Sequence, residues 1–284
     1  MKKIITAFVV GFMYAGSAAQ AQAVDTAFFQ CLYKLDYINE LVNSRKRADA
    51  VMLLVGEQYT FVGSYVNYRA DSLLLVNPAE YSSQIKEAGG RVQIDAPRTT
   101  LRRSENIENY IVHRESGSVQ CFGRVWVSRS YTYFEERSLP DWEIFPDTEE
   151  ILGHSCQKAT AHYGGRDWTV WFAADIPISE GPWLLRGLPG LILKAEDAEQ
   201  HYVFECIQLG ARTVRAIGID PGIRYRDISK AAFYEERRLV IEDYRAALRN
   251  GGVVIPNLEE QLSPEARKRL EAPKKYNPIE RIQK

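Results

Sequence analysis

The sequence predicts a mainly β fold of α+β character, a large curved antiparallel sheet with one longer C-terminal helix packed against it. Three observations predict it. Apolar and aromatic residues alternate with polar ones in many short runs, the period of strands with one buried face. Glycine and proline punctuate the gaps between those runs, where turns need them. After Pro221 the apolar spacing lengthens from that of a strand to that of a helix.

Taken in order, Lys2 and Lys3 precede an apolar run from Ile4 to Phe12, and small residues follow from Ala15 to Ala23, the pattern of a cleavable secretory signal over residues 1–23. The run is shorter than the roughly 18 residues a spanning helix needs, and no later stretch approaches it. The product is therefore expected to be periplasmic or secreted and not membrane-spanning. Cys31 follows Phe28-Phe29-Gln30 and stands too far from the apolar run to be an acylated lipoprotein cysteine. Residues 24–271 then read as a single β-rich domain and 272–284 as an extended tail carrying Pro273 and Pro278.

Within the domain, Phe29, Cys31, Tyr33, Leu35 and Tyr37 share one face of a first strand. A polar turn from Asn43 to Arg47 leads to a hairpin of Val51–Val55 and Gln58–Val62. Tyr65 to Ala88 has weak helical spacing, is broken at Asn77-Pro78, ends in Gly89-Gly90 and reads as short helices and loop. Strands return at Tyr110–Glu115, Gln120–Arg129, Tyr131–Arg137 and Trp142–Phe145.

The next hairpin fixes its own register. Gly164-Gly165 supplies the positive φ of a two-residue turn between Cys156–Tyr163 and Arg166–Ala173. Ala161 then faces Trp168, Ala159 faces Val170 and Gln157 faces Phe172 on a core face. On the wet face His162 meets Asp167, Thr160 meets Thr169 and Lys158 meets Trp171, the last a candidate cation–π pair. Strands Leu191–Glu196 and Gln200–Leu209 put Leu191, Leu193, Ala195, Tyr202, Phe204 and Cys206 on one face, with Lys194, Glu196, His201 and Glu205 on the other. Asp227 is placed to cap a helix with the stripe Phe233, Val240, Tyr244 and Leu248, stopped by Gly251-Gly252. Ser263-Pro264 starts a second short helix.

Composition removes several function classes. Lys plus Arg number 36 against 37 Asp plus Glu, so no net field gathers nucleic acid. The four cysteines Cys31, Cys121, Cys156 and Cys206 are widely spaced, without a C-x-x-C pair, which suits structural thiols or disulfides in any of three pairings. No nucleophile elbow, zinc-protease motif, phosphate loop or dinucleotide fingerprint is present, and His113, His154, His162 and His201 lack metal-site spacing. No metal, no cofactor and no catalytic residue is assigned. His162 and Asp167 form two members of a base, but the third is missing, with Ser155 and Ser179 the serines that folding would have to bring in.

The connection Ile176-Pro177-Ile178-Ser179-Glu180-Gly181-Pro182-Trp183-Leu184-Leu185-Arg186-Gly187-Leu188-Pro189-Gly190-Leu191-Ile192 is the most informative stretch. Pro189 and Gly190 stand where a type II turn needs them. Together with Ile151–Thr160 and Gly165–Phe172, this segment closely resembles the GLPGLI family of exported Bacteroidota proteins, whose hexapeptide stands intact as Gly187, Leu188, Pro189, Gly190, Leu191 and Ile192. The resemblance is strongest over Trp142–Leu209 and recurs in Asn277-Pro278-Ile279-Glu280. His154 and Ser155 depart from it, standing where the family more often has an aromatic and a polar residue. Membership implies a periplasmic or secreted location but no activity, since the family carries none to transfer.

Three functional readings follow. The first is a binding or carrier module for an apolar ligand or peptide, because the expected architecture is similar to periplasmic lipoprotein-carrier half-barrels, an analogy of fold. Trp168, Phe172, Leu193 and Phe204 would line its apolar concavity. The second is an envelope interaction partner, of an outer-membrane transport or export system, with Arg166, Trp171, Trp183 and Arg186 presented on or near loops. The third is a hydrolase using His162 or His201, and the absence of motifs points away from it. Arg166, Trp168, Trp171, Trp183 and Arg186 are thus the candidate binding residues.

Overall fold

The computed structural model describes residues 23–68, 85–88, 91–94, 108–126, 129–210, 215–218, 223–251 and 262–281. The expected export signal, apart from Ala23, and the expected break at Asn77-Pro78 lie outside the described residues. The strands are β1 (Ala23–Tyr37), β2 (Arg47–Gly56), β3 (Tyr59–Ser64), β4 (Ile85–Ala88), β5 (Arg91–Ile94), β6 (Asn109–His113), β7 (Ser118–Trp126) and β8 (Arg129–Glu136). They continue as β9 (Glu143–Ile151), β10 (His154–Tyr163), β11 (Arg166–Ala173), β12 (Leu191–Asp197), β13 (Tyr202–Gly210), β14 (Arg215–Gly218) and β15 (Tyr225–Asp227).

One curved, unclosed sheet takes thirteen of them in the order β15-β8-β7-β6-β3-β2-β1-β13-β12-β11-β10-β9, with β14 paired to β1 outside that path. Its pairings are antiparallel except for the parallel contact of β15 with β8. The mainly β fold read from the sequence is the fold observed. β4 and β5 form a separate ladder on either side of Gly89-Gly90, so residues 85–88, read as the end of a helix and loop region, are extended. β9 also runs six residues beyond the expected Phe145.

Alternation in β1 makes it the centre. Cys31, Tyr33, Leu35 and Tyr37 are buried on the inner face, which joins Val51, Leu53, Val170, Phe172, Leu193 and Phe204 in one core. β2 is different: Val51–Val55 is an unbroken apolar run, and the chain buries it on both faces. Met52 and Leu54 enter a second, smaller core with Phe61, Ile111, Phe122 and Ile217.

The helix packs against the sheet, but not as one piece. Helix α1 (Lys230–Glu242) lies over β7 and β8, with Phe233 against Tyr133 at 5.5 Å between ring centroids. Its cap is Ser229, whose hydroxyl accepts from the Ala232 N–H at 3.2 Å, while Asp227 belongs to β15. At Asp243 the chain leaves helical geometry (φ −139°, ψ 79°), and the Asp243 carboxylate accepts from the Ala246 N–H at 2.9 Å. That local bond starts a new helix, α2 (Tyr244–Gly251), in place of the continuous one expected. Helix α3 (Pro264–Glu271) follows at the expected proline. Among the described residues no helix is long and apolar enough to cross a membrane.

Candidate functional site

The β10–β11 hairpin organises everything of chemical interest. Gly164 and Gly165 take φ of 58° and 73°, and the register pairs Ala161 with Trp168, Ala159 with Val170, Thr160 with Thr169 and His162 with Asp167, as the turn dictates. One face of this hairpin is interior and the other is wet.

On the interior face the connection between β11 and β12 folds back over the core. Trp183, Leu184, Leu185 and Leu188 are buried there, and Tyr33 donates its hydroxyl to the Ile192 carbonyl at 2.7 Å. The Gly187 N–H bonds the Ser179 carbonyl, and the Ser179 hydroxyl donates to the Leu188 carbonyl at 2.6 Å. Gly187, not Gly190, adopts positive φ, at 100°. The expected type II turn over Leu188–Leu191 is therefore replaced by a bend, and Gly190 is needed for another reason: a Cβ there would strike the Ala173 carbonyl. Trp183 itself sits at φ 53°, which turns its ring against Tyr163 and Trp168 at 5.7 and 5.6 Å.

Within this connection lies a buried glutamate. Glu180 is held by Arg114 and Arg186, each within 3.3 Å, and Arg186 also donates to the Arg114 carbonyl. Burial pushes the Glu180 carboxyl above its usual range, while the two guanidinium groups pull it back. No sequence motif pointed to Glu180 or Arg114.

Arg166, the first residue of β11, is 1 % exposed and fully engaged. Its guanidinium donates to the Asp197 carboxylate at 2.6 Å, the Asn277 side chain at 2.7 Å, and the carbonyls of Pro278 and Ile279 at 2.6 and 2.7 Å. It also lies over the Tyr202 ring at 4.7 Å. The tail is thus stitched into the fold, since Tyr202 donates to the Asn277 carbonyl and the Arg281 N–H to the Gly164 carbonyl. Glu280 completes the seam between Arg137 at 2.9 Å and Lys230 at 2.6 Å. Two of the stretches that carried the family resemblance, the Gly-Gly hairpin and Asn277–Glu280, meet at this point, and Trp183 of the β11–β12 connection packs on the same turn.

Four of the five candidate binding residues therefore look inward. Arg166, Trp168 and Trp183 are buried, and Arg186 is bound to Glu180. Trp171 alone faces outward, half-buried under Lys194 at 4.4 Å. The expected partner of Trp171, Lys158, lies instead over Phe145 at 5.6 Å, because β9 brings that ring across β10. Trp168, Phe172, Leu193 and Phe204 fill the core and are covered by the connection.

All four cysteines are buried. Burial pushes Cys156 up to about 11, aided by the nearby charge of Asp175. Cys31 and Cys206 meet at 3.0 Å between sulfurs. Asp197, Glu199 and His201 bring three ligand atoms within 4.8 Å of one another. Arg166 and Arg281 already neutralise the two carboxylates, at 2.6 and 2.9 Å.

The wet face is where an open site lies. A groove of about 520 Å³ is lined by Asp141, Trp142, Glu143, Thr160, Ala161, His162, Asp167, Trp168, Thr169 and Ala198. His162 Nδ1 and the Asp167 carboxylate are 2.6 Å apart, and both side chains are mostly exposed. Ser155 lies seven residues back along the same strand, roughly 23 Å away at strand rise. Ser179 is spent on Leu188, so folding supplies neither serine to this pair. Beside the groove, β9 is an edge strand: among the described residues nothing pairs with its outer side. From Leu139 to Ile151 the chain carries Asp141, Glu143, Asp147, Glu149 and Glu150 without a single lysine or arginine.

Comparison with known proteins adds little chemistry. The model of a family described as a protein of unknown function (Porph_ging) matches residues 164–194, from the hairpin turn through the hexapeptide into β12. No curated protein matches the chain. Two solved structures of PNGF-II, in space groups C2 and P21, are similar at 13% identity and a TM-score of 0.48, covering 75% of this chain. The chain spans 32% and 33% of those two chains, about a third of their length.

Proposed function

We propose that this is an exported GLPGLI-type binding protein of the cell envelope that recognises an extended, cationic peptide segment on the outer face of β9–β11. The observation that carries this reading is the groove lined by Asp141, Glu143 and Asp167 beside the unpaired edge of β9. An extended segment adds to such an edge through main-chain hydrogen bonds, and the carboxylates select its side chains. The same charges repel a second copy of the edge, which keeps β9 free for a partner of opposite sign. Export is supported by the Lys2-Lys3 and Ile4–Phe12 pattern and by the hexapeptide. The apolar-carrier form of the reading has no such support, because Trp168, Phe172, Leu193 and Phe204 are 0 to 1 % exposed.

The test is fluorescence anisotropy of the mature chain with three labelled decapeptides, alternating threonine with lysine, glutamate or leucine. The lysine peptide is expected to bind, to weaken as salt is raised, and to weaken several-fold in Asp167→Asn and Glu143→Gln variants. Equal binding of all three peptides, or preference for the leucine peptide, would overturn the reading.

A further inference from the structure

We infer that Cys31 and Cys206 form a disulfide in the exported protein, a covalent staple between β1 and β13 at the centre of the sheet. The two sulfurs lie 3.0 Å apart, inside the core. β1 and β13 are neighbouring strands, and their register shifts between Leu32 and Tyr33, which lets Cys31, paired with Leu209, reach the side chain of Cys206, paired with Tyr33. The two residues are diagonal rather than directly opposed on the paired strands, and the approach of their sulfurs is the geometry that brings a bond within reach.

Strand order sets the other cysteines farther apart along the sheet. Cys121 on β7 is four strands from β1, roughly 19 Å along the sheet, and Cys156 on β10 is three strands from β13, roughly 14 Å. Cys121 and Cys156 are eight strands from each other, roughly 38 Å along the sheet. Of three pairings that the sequence leaves open, the fold selects one bridge and leaves two thiols.

The oxidant is a disulfide-bearing thiol oxidoreductase of the export compartment, so the inference rests on the export reading for its chemistry. One cysteine loses its proton to solvent and attacks the oxidant's disulfide, breaking it, forming a mixed disulfide and releasing one oxidant thiolate. The second cysteine, likewise deprotonated, attacks the sulfur of the first. The new S–S bond forms, the second oxidant thiolate leaves, and the two thiolates take up the two protons: two thiols and a disulfide become a disulfide and two thiols. Both sulfurs are buried in the finished fold, so the exchange belongs to the folding chain, before β13 closes on β1.

The bond joins residues 175 apart in sequence and ties the half of the sheet containing β2 and β3 to the half containing β10 and β11. Such long closure restricts the unfolded chain strongly. The reduced protein is expected to melt about 5–15 °C below the oxidised one.

Two preparations separate the inference from the export reading. The full chain is expressed with its own signal, recovered from the periplasm, denatured in iodoacetamide and mapped without reduction. The expected map shows a linked Cys31–Cys206 peptide, about 2 Da lighter than its two reduced halves together, with Cys121 and Cys156 alkylated. A second sample of residues 24–284 is made in a reducing cytoplasm and refolded with oxidised glutathione. The same link, with a melting point that falls on adding dithiothreitol in wild type but not in C31A/C206A, supports the pairing. A full chain that stays out of the periplasm overturns the export reading, and a link formed with glutathione then keeps the pairing. Alkylated Cys31 and Cys206 in both samples, or a link to Cys121 or Cys156, overturns the pairing itself.

Discussion

β2 and β11 lie in the same sheet, yet they are buried in different ways. In β2 every residue from Val51 to Val55 is inside, with Val51, Leu53 and Val55 in the main core and Met52 and Leu54 in the second. In β11 burial alternates, with Arg166, Trp168, Val170 and Phe172 inside and Asp167, Thr169 and Trp171 toward solvent. A second layer covers the outer face around β2, and among the described residues none covers it around β10 and β11. The lesson is that alternation leaves a polar face open on one flank only, and the proposed recognition is placed there rather than on the apolar residues that first attract notice.

The largest effect that would sharpen this contrast comes from the inside of β11. Arg166→Ala leaves Asp197 buried without its cation and frees the tail, and should destabilise the protein by about 3–5 kcal/mol in urea titration. Its neighbour on the open face, Asp167→Asn, should change stability by less than about 0.5 kcal/mol. Next comes a matched pair on outward-facing positions. Leu54→Ala in β2 should lose about 2–5 kcal/mol, and Thr169→Ala in β11 about 0.5 kcal/mol or less. Equal losses at the two sites would break the comparison.

Smaller and pH-dependent is the effect of Asp25, which caps the turn between β2 and β3 by accepting from the Gln58 and Tyr59 N–H groups at 2.8 and 2.9 Å. Burial works to raise its carboxyl, but the Tyr59, Gln58 and Thr26 N–H groups outweigh it and hold the group below its ordinary 3.8. A depressed folded value means that the folded state binds this proton less tightly than the unfolded chain. Its contribution is therefore full above pH 4 or so and fades as pH falls through the folded value. Asp25→Asn should be less stable than wild type at pH 7 and should converge on it as pH falls below the depressed folded value, as followed by thermal melts.

Much of this arrangement was legible in the residues. The hairpin register followed from Gly164-Gly165, and the inner faces of β1 and β13 from period-two spacing. Arg166 was read as a strand end presented on or near a loop, although it is in phase with Trp168, Val170 and Phe172, and that parity assigns it to the core face. The unbroken run Val51–Val55 likewise announced a strand covered twice. What could not be read was long-range. Arg166 and the Asn277 side chain are 111 residues apart, so nothing local told that the proline-containing tail would dock. The helix break at Asp243 depends on one side chain choosing the Ala246 N–H over the continuing helix, a balance below the resolution of periodicity. The groove residues Asp141 and Glu143 went unnoticed because their signal is a run of acids in an edge strand, ordinarily a device against aggregation.

The central claim is that the open flank, and not the filled core, is the recognition surface. Hydrogen exchange of the mature chain with and without the alternating lysine–threonine decapeptide tests it most directly. The account predicts slowed exchange confined to β9 and the Thr160–Thr169 hairpin, where the peptide would pair with the free edge and cover the groove. Protection centred instead on Trp183–Ile192 or on α1, with β9 unchanged, would contradict it and return the search to the inner face.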